Sequence, residues 1–247
     1  MVSVVQIIKT SNQPRGGYLN IKSFSTVNYD DEQKLYDIEN IHSSIIGLAV
    51  DYLTRFMIGG NKNTAFKISM MGAKKINKEK DAIAYLNGIE KLDDRSIILA
   101  CKLVGFDVCI RSGKEKYVEI GVADLNTIHN IRVMVLRAMN IIYESSNLVE
   151  VGPIFPFGYT KIVDSGDADF LTNDALIDIK TSKKEPNKKD TLQILMYYIL
   201  GKHSLWCDRY TNLKYLVIAN PRLNKKYYIK MVDINENIIN IIEKEVM

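Results

Sequence analysis

Two aspartates that a hairpin turn would set face to face constrain this chain more than any other feature. Residues 166–180 run GDADFLTNDALIDIK. Residues 163–172 and 175–181 read as strands, with Asn173-Asp174 as the two-residue turn between them. Counting back from that turn pairs Leu171 with Leu176, Phe170 with Ile177, Asp169 with Asp178 and Asp167 with Lys180. Side chains alternate across a sheet, so Asp167, Asp169, Asp178 and Lys180 share one face. Ala168, Phe170, Ile177 and Ile179 fill the other. Directly opposed residues lie roughly 4.5–5.5 Å apart at Cβ, where like charges repel. A cation held between Asp169 and Asp178 removes that repulsion.

The rest of the chain divides by texture. Residues 2–8 read as a strand, followed by a turn-rich stretch through Arg15-Gly16-Gly17, most simply a surface turn. From residue 31 to 58 the apolar positions Ile38, Ile41, Ile45, Leu48, Leu53 and Phe56 recur near a 3.6-residue period, a helix stopped at Gly59-Gly60. Further helices are predicted over 78–90, 93–108 and 126–144, with a short strand at 117–122. His129 reads as an ordinary helix histidine. From residue 148 strand signals dominate: 148–151, 157–164 and the hairpin. After a polar loop comes a helix capped by Asp190 or Thr191 and stopped at Gly201. A second hairpin (214–219, 226–231) and a helix over 233–246 complete the chain. This order predicts an α/β fold with a mixed central sheet flanked by helices, preceded by a largely helical region over 1–147.

The chemistry implied is that of phosphate esters. Magnesium prefers hard oxygen ligands and binds through one or two carboxylates. Asp169 and Asp178 supply those from adjacent strands, and the carbonyl of Ile179 is a further ligand. Lys180, two residues past Asp178, shares its face and can orient a water or neutralise charge on a phosphate. Desolvation and a nearby metal both push its pKa down, towards a role as base. On the following helix Gln193 and Tyr197, four apart, lie one above the other.

Gly166-x-x-Asp169, Asp178-Ile179-Lys180 and Gln193-x-x-x-Tyr197 occur in that order on predicted strand, strand and helix. In this the chain resembles the PD-(D/E)XK nuclease superfamily, and within it the RecB-like exonuclease group. The resemblance covers roughly residues 148–231. It implies a restriction-endonuclease-like core over 148–247 and metal-dependent cleavage of DNA, single- or double-stranded. Asp169 and Asp178 would be the metal ligands, Lys180 the catalytic lysine, and Gln193 and Tyr197 accessory residues. Mg2+ is the expected ion, with Mn2+ as a substitute. Many members carry a further ligand on an N-terminal helix after a glycine. Gly47-x-x-x-Asp51 matches that pattern with Asp for His, so the helix at 42–58 would complete the core. The competing reading of Asp51 is an intrahelical pair with Arg55. Asp167, opposite Lys180, is expected to position the lysine through an ion pair. Members with an iron–sulfur cluster use four cysteines; this chain has three, elsewhere, and no cluster is expected.

Lys183, Lys184, Lys188 and Lys189 follow the catalytic strand and read as phosphate contacts. Arg222, Lys225 and Lys226 form a second, weaker basic cluster. Trp206 and Tyr210 could stack on bases, although packing is the simpler reading. The net charge of +4 permits nucleic-acid binding without arguing for it. No membrane-length apolar run and no signal peptide are visible, and the few cysteines suit a reducing cytoplasm. With no helicase signature, unwinding would fall to a protein partner, and a small nuclease of this kind would suit a phage or mobile element. The alternatives are a sequence-specific endonuclease on the same core, and a catalytically inactive nucleic-acid-binding or assembly protein.

Overall fold

The computed structural model describes residues 2–111, 117 and 119–247. In chain order the regular elements are α1 (Val4–Thr10), β1 (Ser25–Asn28), α2 (Ser43–Met57), α3 (Lys62–Ala65), α4 (Lys67–Lys75), α5 (Glu79–Asn87), α6 (Asp94–Val104), α7 (Val108–Arg111), α8 (Leu125–Glu144), β2 (Leu148–Val151), β3 (Phe170–Thr172), β4 (Ala175–Ile179), α9 (Lys188–Lys202), α10 (Cys207–Thr211), β5 (Tyr215–Asn220), β6 (Lys225–Lys230) and α11 (Glu236–Glu245). They form two compact units: a sheet unit of residues 1–29 and 140–247, and a helical unit of residues 30–139. The sequence pattern had put the boundary near 147 and the helix at 42–58 with the sheet. The contacts instead assign residues 1–29 to the sheet unit and α2 to the helical one. No helix among the described residues is long and apolar enough to cross a membrane.

In the helical unit, α2, α6 and the first turns of α8 close on a core built from Ile46, Leu53, Phe66, Ile97, Leu103, Phe106, Ile131 and Met134. A buried polar knot sits in it. The Tyr52 hydroxyl donates to Asp107 Oδ2 at 2.6 Å, Ser69 Oγ donates to Oδ1 at 2.5 Å, and Arg111 Nε reaches Oδ2 at 3.1 Å. The carboxylate is thus compensated, as a buried charge must be. Of the strand expected at 117–122, residue 118 lies outside the described residues and the others have no regular structure.

The sheet unit is a six-stranded mixed sheet in the order β1-β6-β5-β4-β3-β2, with β4 and β5 parallel and every other pair antiparallel. The hairpin register is the one counted from the sequence, Phe170 against Ile177 and Leu171 against Leu176. No residue of the turn has a positive φ. Instead the Thr172 hydroxyl closes it, accepting from the Ala175 N–H at 3.0 Å and donating to the Ala175 carbonyl at 3.2 Å. Leu171, Leu176, Leu216, Ile218 and Ile229 face one way, into a core shared with Leu192, Leu195, Met196 and Ile199 of α9. α9 is packed by α1, α10, α11 and the sheet, and is apolar nearly all round, as such burial requires.

Four local expectations are corrected. Residues 2–8 are not a strand: Ser3 and Gln6 form a reciprocal capping box that starts α1. Residues 157–164 are a turn and an irregular segment, because Phe157 has φ of 64° and Gly158 is pressed against α9. α9 starts three residues early, capped by Asn187, with Asp190 completing a capping box from inside the first turn. Gly201 does not stop α9, which runs on to Lys202; packing explains the glycine instead, since a Cβ there would sit 2.2 Å from the Tyr210 ring of α10.

Candidate active site

β4 carries Asp178 and leads directly into Lys180. Both positions are fixed by the parallel ladder to β5, where Asp178 pairs with Ile218 and the Lys180 N–H donates to the Ala219 carbonyl at 2.8 Å. Asp178 shares the parity of Leu176, so its carboxylate points towards α9. The residue is 1 % exposed. Asp169, just before β3, shares the parity of Leu171 and reaches across the hairpin: its Oδ2 accepts from the Ile179 N–H at 2.7 Å. That bond fixes Asp169 beside the Asp178-Ile179-Lys180 segment, as the sequence register anticipated.

Lys180 Nζ lies 2.6 Å from Asp178 Oδ2 and donates to Gln193 Oε1 at 3.0 Å. Gln193 Nε2 in turn donates to the Tyr197 hydroxyl at 3.0 Å. Asp178, Lys180, Gln193 and Tyr197 therefore form one connected chain that runs from the sheet onto α9. The glycine of the Gly166-x-x-Asp169 motif has a steric reason here. A Cβ on Gly166 would stand 3.2 Å from Tyr197 Cε1 and 3.0 Å from Val4 Cγ2, and the Gly166 carbonyl accepts from Tyr159 Oη at 2.9 Å. Tyr197 is further held by stacking on Phe155, with ring centroids 5.8 Å apart.

The electrostatics are those of a buried, strongly coupled group. Burial pushes the Asp178 carboxyl up from its ordinary range; Lys180 opposes the shift, and Asp169 and Asp190 add to it. Burial alone would lower Lys180, but Asp178 and Asp169 outweigh it and the ammonium is held above its ordinary value. Of the two effects expected to depress it, burial acts in that direction but is outweighed by the two carboxylates. Burial, then Asp178 and Asp167, hold the Tyr197 phenol well up, so it stays protonated. Asp178 Oδ2 carries the Lys180 ammonium at 2.6 Å. An ionised carboxylate has several lone-pair positions, so one held by an ammonium keeps acceptor capacity for a hard cation. Among the described residues no three acidic, His or Cys side chains cluster as a metal site.

Other expected residues fall differently. The ion-pair partner of Lys180 is Asp178, not Asp167. The chain leaves the hairpin before residue 167, whose backbone bridges to Ile154 instead. Asp167 still lies close enough to raise Tyr197. Asp51 is on α2 of the helical unit, where Arg55 donates to both its oxygens at 2.7 and 3.1 Å.

The basic residues are better organised than the sequence implied. Lys183, Lys184, Lys188 and Lys189 are all exposed. Lys188 and Lys189 occupy the first turn of α9, the positive end of its dipole, where cations are unfavourable without an anion. The tip of the β5–β6 hairpin braces the loop before them. Arg222 Nε donates to the Thr181 carbonyl at 2.7 Å, Asn220 Nδ2 donates to the Ser182 carbonyl at 3.0 Å, and Lys225 pairs with Glu185 at 3.1 Å. The two basic clusters are thus one surface. Trp206 carries Arg209 over its face, 4.6 Å from the ring centroid, and Tyr210 is buried.

Sequence reasoning missed Asp190 as part of the site and treated it as a cap. It does cap, but it also bears on Asp178 and Lys180. The signal was its spacing: Asp190, Gln193 and Tyr197 fall at i, i+3 and i+7 on one helix face. Comparison of the chain with protein-family models, curated proteins and solved structures gives no match.

Proposed function

We propose that the sheet unit is a metal-dependent nuclease with a restriction-endonuclease-like core, hydrolysing DNA phosphodiester bonds as a RecB-like exonuclease or end-processing enzyme. One observation carries the reading. Asp169, Asp178, Lys180, Gln193 and Tyr197, drawn from two strand ends and a helix, converge into a single cluster around the buried Asp178 carboxylate, which Lys180 Nζ contacts at 2.6 Å. An ion pair kept only for stability needs neither a second carboxylate, Asp169, fixed beside it nor Gln193 and Tyr197 chained to its lysine.

Asp169, Asp178 and the Ile179 carbonyl would hold Mg2+ or Mn2+, which supplies positive charge against the phosphate and acidifies a water. The protein's own groups do the rest. Lys180, charged and pinned by Gln193, presents its remaining N–H to an attacking water or to a phosphate oxygen as negative charge builds there. It is a donor and a counter-charge, not a base. Gln193 fixes the ammonium and, through its amide, the Tyr197 hydroxyl, whose proton is directed to an acceptor on the substrate. The exposed lysines of the loop and of the first turn of α9 take the flanking phosphates, with the salt dependence that such contacts bring.

The test is direct. Purified protein is incubated with linear and with covalently closed circular DNA, in magnesium and in EDTA. The expected result is degradation of linear DNA alone, in magnesium only, lost in Lys180→Ala with the far-UV spectrum unchanged. Cleavage of closed circles would make it an endonuclease. Binding without cleavage in magnesium or manganese would refute the enzyme and leave a nucleic-acid-binding protein.

A further inference from the structure

Phe157 breaks two local rules at once. The Gly158 N–H donates to the Phe155 carbonyl at 3.0 Å, closing a turn with Pro156 and Phe157 at its centre. Proline second and a positive φ third are the marks of a type II turn, whose third position calls for Gly or Asn. Here a phenylalanine holds φ of 64°. Bulky residues are rarely found there. The ring gains nothing from the fold in return, since the residue is 86 % exposed, more than almost any other large apolar residue described.

The turn is nevertheless rigidly held, and by the candidate site itself. On one side Phe155 is fully buried and stacks on Tyr197. On the other, Tyr159 donates to the carbonyl of Gly166. Gly158 is pressed so close to α9 that a Cβ would stand 2.1 Å from the Leu200 carbonyl oxygen. The Pro156 carbonyl accepts from the Leu205 N–H at 2.8 Å, tying in a second exposed apolar segment, Leu205 and Trp206. Two residues span at most about 7 Å of chain, so the Phe157 backbone lies beside the residue that braces Tyr197. Local strain without local compensation, next to a candidate site, is a functional signature.

We propose that Phe157 is a base-stacking residue: its ring packs against an unpaired nucleobase of the DNA strand whose phosphate is held at the Asp178–Lys180 cluster. This rests on the proposed nuclease function and deepens it, by making a strand with splayed or single-stranded bases the substrate form. An exposed aromatic face suits any base, so the contact selects strandedness and not sequence.

The probe is a single-stranded oligonucleotide with 2-aminopurine near its end, titrated with protein in EDTA so that nothing is cut. Wild-type protein should quench the 2-aminopurine. Phe157→Gly should abolish the quench and weaken binding between about five- and about 100-fold. Its melting temperature should be unchanged or higher, since glycine suits that φ. Phe157→Trp should retain both quench and affinity. A Phe157→Gly protein that binds and quenches as wild type does would overturn the stacking role while leaving the nuclease reading intact. Wild-type protein that neither binds nor cleaves DNA would remove the nuclease reading and this inference with it. If Phe157→Gly leaves DNA affinity unchanged but abolishes self-association in sedimentation, the ring is an interface between copies and the inference is wrong.

Discussion

Lys180→Met, in metal-free buffer, separates a stabilising ion pair from one retained for chemistry. Removing the ammonium leaves Asp178, 1 % exposed, with a buried charge and no cation in contact. Breaking a buried pair from one side costs about 3–5 kcal/mol. Asp178 can escape by taking a proton, and the sign follows from that. Its folded pKa is already raised by burial, and loss of Lys180, which opposes the rise, lifts it further. A carboxyl with a raised folded pKa binds more protons folded than unfolded. Stability is therefore highest below the ordinary carboxylate range and falls as pH rises, by about 1.4 kcal/mol per unit, until the folded group ionises. Lys180 acts with the same sign in a higher window: its raised pKa gives wild type stability that is lost only above the ordinary lysine range. Urea unfolding should show the variant close to wild type in mild acid and several kcal/mol weaker near pH 9, where no proton is available. Asp178→Leu/Lys180→Met removes both charges. It should recover about 3–5 kcal/mol over the single variant at the higher pH, lose the pH dependence and have no cleavage activity. If Lys180→Met is as stable as wild type near pH 9, or the double variant is no better than the single, the buried-pair account fails.

Gly166→Ala places a methyl group 3.2 Å from the Tyr197 ring and 3.0 Å from Val4. Cleavage should fall sharply, while the unfolding midpoint moves by an amount typical of overpacking, about 1–3 kcal/mol; unchanged activity would show that Tyr197 placement is immaterial. Gln193→Leu leaves one Lys180 donor and the Tyr197 hydroxyl without their partner, at about 1–3 kcal/mol. It should lower kcat more than it raises KM, because the DNA contacts are elsewhere; a pure KM effect would contradict this. Lys189→Gln removes a cation from the positive end of α9 and should stabilise the fold slightly while weakening DNA binding. The plot of log affinity against log salt should become shallower by nearly one for duplex DNA, and an unchanged slope would place that lysine away from the phosphates.

Two features of residues 2–8 and of α9 show where local reading succeeds and fails. The β-branched run Val2 to Ile8 suggested a strand, but Ser3-x-x-Gln6 is a capping box spelled out in the sequence, and the helix it starts is the one that forms. Asn187-x-x-Asp190 is a second such box, and recognising it would have put Lys188 and Lys189 on a helix dipole instead of in a loop. Those errors were avoidable because a cap is satisfied within three residues. Phe157 was not legible in that way: a bulky side chain argues against the positive φ it holds, and the approach of Gly158 to Leu200 is a contact across the fold.

The sequence by itself determined the register of the hairpin, the face on which Asp169, Asp178 and Lys180 lie, and the face of α9 that carries Gln193 and Tyr197. Strand and helix periods are properties of the backbone, and counting from a turn or a cap is enough to apply them. Only the tertiary structure decided the partners. It gave Lys180 to Asp178 and Gln193 instead of Asp167, kept the ammonium charged, and added Asp190 to the field of the site. It also joined two basic segments into one surface and brought β1 to pair with β6 at the far end of the chain. The reason is the same in each case: a charge responds to what lies within a few ångströms in space and to the water excluded there, and neither is encoded at any fixed spacing along the chain.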